Sequence, residues 1–152
     1  MTAPPHKLST GHGLRALTLR PPWAWAIIRA RKRIENRTWT THYRGPLAIH
    51  SSSKLALADV HRLERILGRR IDPSRLVRGA IMATANLVDI VPTERCRGRW
   101  VSGPYCWVLR DVRPLKSPIY VTGALQLWDP RSRCTRSQMA ELTKHLSTNH
   151  RK

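Results

Sequence analysis

The apolar positions of this chain fall in short blocks, and each block has its own period. Leu14 to Leu19 sets Leu14, Ala16 and Thr18 against Arg15, Leu17 and Leu19, which predicts a short strand. Pro21-Pro22 closes it, and Pro22 suits the first turn of a helix, where a missing N–H costs nothing. Trp23, Ala24, Ile27, Ile28 and Arg31 follow at helical spacing, so a helix is expected from Pro22 to about Arg31. Lys32 to Arg37 leaves that helix for an extended segment. Pro46-Leu47-Ala48-Ile49-His50 reads as a second strand with Leu47 and Ile49 on one face. Ser53 is placed as the N-cap of a helix from Lys54 to about Leu67. In it Ala56, Val60, Leu63 and Leu67 form the apolar stripe, His61, Arg62 and Arg65 face water, and Gly68 is the stop.

Beyond it, Arg69 to Arg78 reads as a polar loop with one turn after Asp72-Pro73. Gly79 to Val91 is the longest strand signal, and both of its faces are apolar or small, as in a strand curled into a barrel. Pro92 to Gly103 is a basic loop. Tyr105 to Arg113 alternates again, Pro114 and Pro118 bracket an expected turn, and Tyr120 to Trp128 is expected as a final strand. After Pro130, Thr135 with Gln138 forms a capping box, and Met139, Leu142 and Leu146 give one stripe of a C-terminal helix. Strand, helix, strand, helix, three strands and a helix make an α+β fold rather than a parallel doubly wound sheet.

Composition narrows the setting. The 152 residues, 41% of them hydrophobic, suffice for one domain with a core. No apolar run approaches the ~18 residues that span a bilayer, so no membrane span is expected. Met1 to Gly13 is polar, carries Pro4-Pro5 and has no apolar h-region; it reads as a flexible lead-in (residues 1–13), not a signal peptide. The three cysteines are far apart and form no C-x-x-C, which fits reduced thiols in the cytoplasm. The seven histidines show no ligand spacing, so no metal and no cofactor are expected, and a monomer is favoured. Charge changes the picture most. Lys and Arg number 28 against 9 Asp and Glu, a net charge of +19, and an excess of that size attracts polyanions. Nucleic acid is the first expected partner and an anionic membrane the second; the plain alternative is Arg-rich codon usage that only solubilises.

That charge is concentrated beside aromatic rings in one stretch. Arg29-Ala30-Arg31-Lys32-Arg33-Ile34-Glu35-Asn36-Arg37-Thr38-Trp39, closed by Tyr43-Arg44-Gly45, packs five cations, one carboxylate and an amide up to Trp39. Gripping a phosphate backbone while stacking a base needs that mixture. Lys32 and Glu35 are also a minimal acid/base pair.

The stretch has companions in order along the chain. They are Leu17-Thr18-Leu19-Arg20-Pro21-Pro22-Trp23-Ala24, Lys32-x-x-Glu35-Asn36-Arg37-x-Trp39, Tyr43-Arg44-Gly45-Pro46-x-x-Ile49-His50-Ser51-Ser52, Arg78-Gly79-Ala80-Ile81, Gly103-Pro104-Tyr105-x-Trp107-Val108-Leu109 and Gly123-Ala124-Leu125-x-Leu127-Trp128. Together they resemble the ASCH domain family (activating-signal-cointegrator homology), a branch of the PUA-like barrels. The resemblance covers Leu14 to Pro130 and leaves residues 131–152 as a basic C-terminal helical extension. It implies a small PUA-like β-barrel with flanking helices and a cleft beside the first helix, in a module that binds RNA or other nucleic acid. A related branch removes the acetyl group from N4-acetylcytidine, and nuclease activity is attributed to some members. The family hallmark G-x-K-x-x-E-x-R reads here as Ala30 to Arg37, with Ala30 in place of Gly; the usual Gln after the first-strand Arg is Pro21. The deacetylase branch has Thr where this chain has Glu35 and needs a later carboxylate. Glu64, Asp89 and Glu94 stand in no matching motif.

Each residue of the stretch has a chemical role open to it. A neutral Lys32 is a base or nucleophile toward an amide carbonyl; a charged one clamps a phosphate or polarises an oxyanion. The plain alternative is a Lys32–Glu35 surface ion pair of little energetic weight. Glu35 can accept a proton or an exocyclic amine. Arg37, Arg44 and Arg20 suit phosphate. Trp23, Trp39 and Tyr43 can stack bases, with core packing the better reading for Trp23, Trp107 and Trp128. His50 and Ser52 end a strand beside the expected cleft. His50 is either a proton shuttle or a buried, hydrogen-bonded ring, and Lys54 can reach the same cleft. No G-x-S-x-G and no Walker-type phosphate loop occurs. The leading expectation is RNA or a nucleotide-like ligand held in the cleft. The second is a hydrolase of RNA or of a modified nucleoside (ribonuclease or N4-acetylcytidine amidohydrolase) using Lys32 and Glu35. The third is a protein-interaction domain.

Overall fold

Consecutive prolines turn the chain out of its first strand and into its first helix. In the computed structural model, which describes residues 13–147, strand β1 (Arg15–Leu19) gives way at Arg20 to helix α1 (Pro21–Arg29). Next come β2 (Ile34–Arg37), β3 (Gly45–Ser51), α2 (Leu57–Leu67), β4 (Ala80–Pro92), β5 (Tyr105–Tyr120), β6 (Leu127–Trp128) and α3 (Arg136–Ser147). All six strands join one curled sheet, a half-barrel, in the order β2-β5-β4-β3-β1-β6. The β1–β3 pair is parallel, with Leu17 opposite Ile49, and every other pair is antiparallel. A parallel pair needs a crossover, and this one carries α1 and β2. The expected α+β architecture with flanking helices and a C-terminal helix is therefore what the chain adopts.

Three apolar clusters hold it together. Leu17 and Leu19 of β1, Leu47 and Ile49 of β3, and Trp107 and Leu109 of β5 meet Ala24 and Ile27 of α1. Behind the sheet, Ala16, Ala48, Ile81 and Trp128 are covered by α3 through Leu142, which is wholly enclosed, so this helix packs on the sheet. Ala26, Val60, Leu63, Ile71 and Leu76 join α1 to α2. Burying both faces of the central strands explains why the first half of β4 is apolar or small on both sides.

Three elements differ from the sequence expectation. Helix α2 starts at Leu57, its N-cap is Ala56, and no side chain caps it. Ser53 is not the cap because the preceding residues are held extended, with the Ser52 amide donating to the Leu19 carbonyl at 2.7 Å. Second, Pro114 and Pro118 do not bracket a turn. Strand β5 runs through both, pairing Pro114 with Ala83 between two shifts of register. Such bulges are where a strand tolerates a residue without an N–H, and they also bend the sheet. Third, the expected strand from Tyr120 shrinks to Leu127–Trp128. The segment before it leaves the sheet and lays Gly123 against His50, so closely that a Cβ there would stand 2.6 Å from the ring. Among the described residues no helix is long and apolar enough to cross a membrane. The lead-in before Gly13 lies outside the described residues.

A candidate ligand cleft beside the first helix

The chain reverses at the end of α1 and feeds directly into β2. The Ala26 carbonyl accepts from the amides of both Ala30 (2.9 Å) and Lys32 (3.1 Å), and Arg31 between them takes a left-handed φ of 55°. Ala30 itself has φ −119°, an angle alanine adopts freely, which explains why the hallmark glycine is dispensable here. The Arg33 guanidinium donates to the Ile27 carbonyl at 2.7 Å and closes the helix end. Burial, then Arg31, draws its pKa below the ordinary arginine value. Strand β2 then pairs with β5, placing Glu35 opposite Trp107. Two-residue periodicity puts Glu35 and Arg37 on one face.

On that face lies a chain of buried charges. Lys32 and Glu35 are only 2% and 6% exposed. The Lys32 ammonium donates to Glu35 Oε1 at 2.9 Å and to the Ile34 carbonyl at 2.5 Å. Glu35 Oε1 also accepts from the Asn36 amide at 3.2 Å, while Oε2 accepts from Arg37 Nη2 at 3.3 Å. The same Nη2 donates to the Thr18 carbonyl at 2.8 Å. Arg37 Nε is buried without a partner among the described residues. Two cations against one carboxylate leave this floor positive. A lysine carries three N–H donors, so Lys32 retains one beyond these two bonds. Buried ion pairs are weak devices for stability, and the Arg37 Nε–H is open to an acceptor, whether water or a ligand.

The floor belongs to an open cleft of about 380 Å³. Trp23 forms one wall, with the Lys32 ammonium 5.8 Å and the Arg62 guanidinium 5.6 Å from its ring centroid, within cation–π range. Helix α2 supplies Asp59, Arg62 and Ile66. Asp59 accepts from Arg20 Nη1 at 2.8 Å, tying the start of α1 to α2 and raising the arginine's pKa. The opposite wall is the loop bearing Trp100 and Ser102, fastened by Asn36. The Asn36 Nδ2 donates to the Trp100 carbonyl (2.7 Å), and its Oδ1 accepts from the amides of Ser102 (2.9 Å) and Gly103 (3.2 Å).

Fold and cleft can now be set beside known proteins. The family model of the ASCH domain matches residues 17–117, more than half of the chain. The chain belongs to the ASCH domain family. Activating signal cointegrator 1 of Homo sapiens is 21% identical over 124 residues, 74% of this chain and 21% of that protein. This ASCH chain thus spans about a fifth of its curated relative. The crystal structure of ASCH from Zymomonas mobilis superposes with a TM-score of 0.54 at 15% identity, covering 88% of this chain and 96% of that one. A serine-to-alanine mutant of the same Zymomonas mobilis protein gives 0.50 at 15% identity, covering 87% and 95%. These two likenesses establish the fold.

The residues singled out in the sequence divide in three on this ASCH scaffold. Arg20, Trp23, Lys32, Glu35, Arg37 and Ser52 line the cleft. His50 and Lys54 instead line a second depression of about 690 Å³, which shares Thr18, Arg20 and Ser52 with the first. Trp39, Tyr43 and Arg44 line neither. Trp39 packs edge-on to Trp107 at 4.7 Å, and its carbonyl accepts from the Trp107 indole. The Tyr43 hydroxyl lies between the carbonyls of Gly13 and Pro46, and burial pushes its pKa up to about 12. Arg44 donates to the carbonyls of Thr41 and Tyr43. All three are engaged within the fold: Trp39 against Trp107, Tyr43 with backbone carbonyls on either side of it in sequence, and Arg44 with its own connection.

Among the later carboxylates, Glu64 accepts from the Ile71 amide and Asp89 from the Ile90 amide, and Glu94 is exposed. None of the three lines the cleft; Asp59 does. Besides Asp59, three further cleft residues that are not among the sequence candidates are Arg62, Trp100 and Asn36. Arg62, read as facing water, shares a face with Asp59 and Ile66 at the helical spacing that reveals such faces. Trp100 follows Arg97 and Arg99, a basic-aromatic mixture like that of the 29–39 stretch. Asn36 left no such signal, because its partners lie 64 or more residues away.

Proposed function

We propose that this ASCH domain binds RNA by seating one nucleotide in the cleft between α1, α2 and the 100–103 loop. One observation carries the reading: a buried chain of charge, Lys32–Glu35–Arg37, forms the floor of an open cleft walled by Trp23. Trp23 offers a ring for stacking, worth about 1–3 kcal/mol per base. The remaining Lys32 donor and Arg37 Nε suit carbonyl, hydroxyl or phosphate oxygens. The unused lone pairs of Glu35 suit an exocyclic amine. Arg62 and Arg20 stand at the rim for phosphate, and the net charge of +19 supports salt-dependent, long-range attraction.

The test is fluorescence anisotropy with a labelled, unstructured ten-nucleotide RNA, titrated at several salt concentrations. Binding should weaken linearly in log–log form with salt. Trp23→Leu should weaken it by about tenfold at every salt, the loss of one stacked base. No binding at low salt, or an unaltered affinity in Trp23→Leu, would sink the proposal.

A hydrolase is the second reading, and the enclosure of Lys32 and Glu35 at 2.9 Å favours it. There the ammonium would polarise the carbonyl or phosphoryl oxygen, and Glu35 would take a proton from attacking water. Incubation with RNA and with N4-acetylcytidine, followed by mass spectrometry, separates the readings. Release of acetate or RNA fragments that disappears in Lys32→Met supports hydrolysis. Bound and intact RNA supports the binder.

A further inference from the structure

The cleft adjoins a second groove. Thr18, Arg20 and Ser52 line both cavities, so the two lie side by side at the mouth of β1 and β3. The groove, about 690 Å³, runs between the 52–54 connection and the segment that replaces the start of β6. Its flanks differ in chemistry. Lys54 and Ser53 are exposed on one side, while Tyr120 (66% exposed) and Leu125 (91% exposed) present apolar surface on the other.

At the floor of the groove stands a polar atom with no partner. His50 is only 1% exposed, and its Nε2 lies 2.7 Å from the Val121 carbonyl. A carbonyl accepts only, so Nε2 carries the proton and Nδ1 is left as an acceptor. That Nδ1 is buried and unpaired among the described residues. The residue packed against it is Gly123, where a Cβ would stand 2.7 Å from Nδ1 and 2.6 Å from Thr18 Oγ1. Gly123 therefore lies against the ring with no room for a side chain, and the groove beside it sets one cation opposite two apolar side chains.

We infer that this groove is a second nucleotide subsite, so that the molecule takes a single strand of at least two nucleotides rather than a free nucleoside. The inference rests on the nucleotide reading of the cleft. The strand passes from cleft to groove over Arg20, whose guanidinium faces the connecting phosphate. Lys54 takes the next phosphate, and the second base lies against Tyr120 and Leu125, beside His50.

The experiment compares two probes on the full chain: the four nucleoside 5′-monophosphates, titrated by NMR chemical-shift changes, and the ten-nucleotide RNA, titrated by anisotropy. Lys54→Ala with Leu125→Ala removes two exposed side chains and leaves the fold intact. The pair should weaken the RNA by at least about tenfold, the loss of one stacked base, and leave the monophosphates unchanged. In wild type the His50 Nδ1 resonance should move with the RNA and stay still with a monophosphate. An unaltered RNA affinity in the Lys54/Leu125 variant overturns the second subsite and leaves the cleft standing. Equal weakening of both probes overturns it too. If wild type binds neither probe, the cleft reading falls and the subsite with it.

Discussion

The Lys32 ammonium and the Glu35 carboxylate meet at 2.9 Å with their side chains 2% and 8% exposed, and neither can turn to water. The attraction between such groups roughly repays their desolvation, but removing one partner strands the other. Lys32→Met alone should therefore destabilise the fold by about 3–5 kcal/mol. Lys32→Met combined with Glu35→Leu should recover most of that loss, because Arg37 keeps its bond to the Thr18 carbonyl and partial access to solvent. Urea unfolding of both variants measures this. A double variant no more stable than the single would mean that the pair is not energetically coupled.

His50 makes stability depend on pH. Burial lowers its pKa below the ordinary 6.5, and the bond to Val121 only partly opposes this. The unfolded chain therefore takes up a proton at a higher pH than the folded one. The contribution is fully present above pH 6.5 and is lost as the pH falls through the folded value. The urea midpoint should drop on acidification from pH 8 to pH 5, and His50→Gln should flatten that part of the profile. A slope unchanged by the substitution would assign it to other groups.

Asn36 fastens the 100–103 loop through three hydrogen bonds. Replacing it by alanine should cost about 2–4 kcal/mol, at roughly 1 kcal/mol for each bond and more for groups left unpaired. The loop should also open locally. Arg95, Arg97 and Arg99 are already exposed, so trypsin should cut the variant there well before the rest of the domain. Equal cleavage rates in the variant and the wild type would show that the loop is held by something else.

Arg31 occupies a left-handed conformation at φ 55°. A non-glycine residue there costs about 1–2 kcal/mol, and glycine's larger unfolded-state entropy takes back part of that. Arg31→Gly should stabilise the fold by about 0.5–1 kcal/mol, seen as a raised melting temperature. A lowered one would mean that the Arg31 side chain holds the turn in some other way.

Much of this fold is legible in the chain. The two-residue period around Leu17 and Ile49 and the helical spacing of Trp23 and Ile27 give β1, β3 and α1 nearly to the residue. Where reading failed, a distant partner decided the outcome. Pro114 looks like a strand end until Ala83 is opposite it across a bulge. Ser53 looks like a cap until Leu19 holds the neighbouring residue extended. The cleft follows the same logic. Lys32, Glu35 and Arg37 are close in sequence, and local periodicity brings them together. Trp39, Tyr43 and Arg44 carry the right chemistry, but Trp107, the Pro46 carbonyl and the Thr41 carbonyl engage them, which no spacing announces. Arg62 and Trp100 join the cleft only through the packing of α2 and the reach of Asn36.

The sheet order has a consequence for how the molecule is made. Strand β2 lies beside β5, and Asn36 waits for a carbonyl 64 residues further on. Thr18 waits for an indole 110 residues further on. At about 5–20 residues per second, the ribosome needs several seconds to deliver the first of these partners and longer for the second. A nascent chain therefore carries the charges of Lys32, Glu35 and Arg37 long before it carries their cleft. The walls and floor become one site only after Trp100 and Ser102 have been made and β5 has paired with β2, so a shorter nascent chain carries the charges without the cleft.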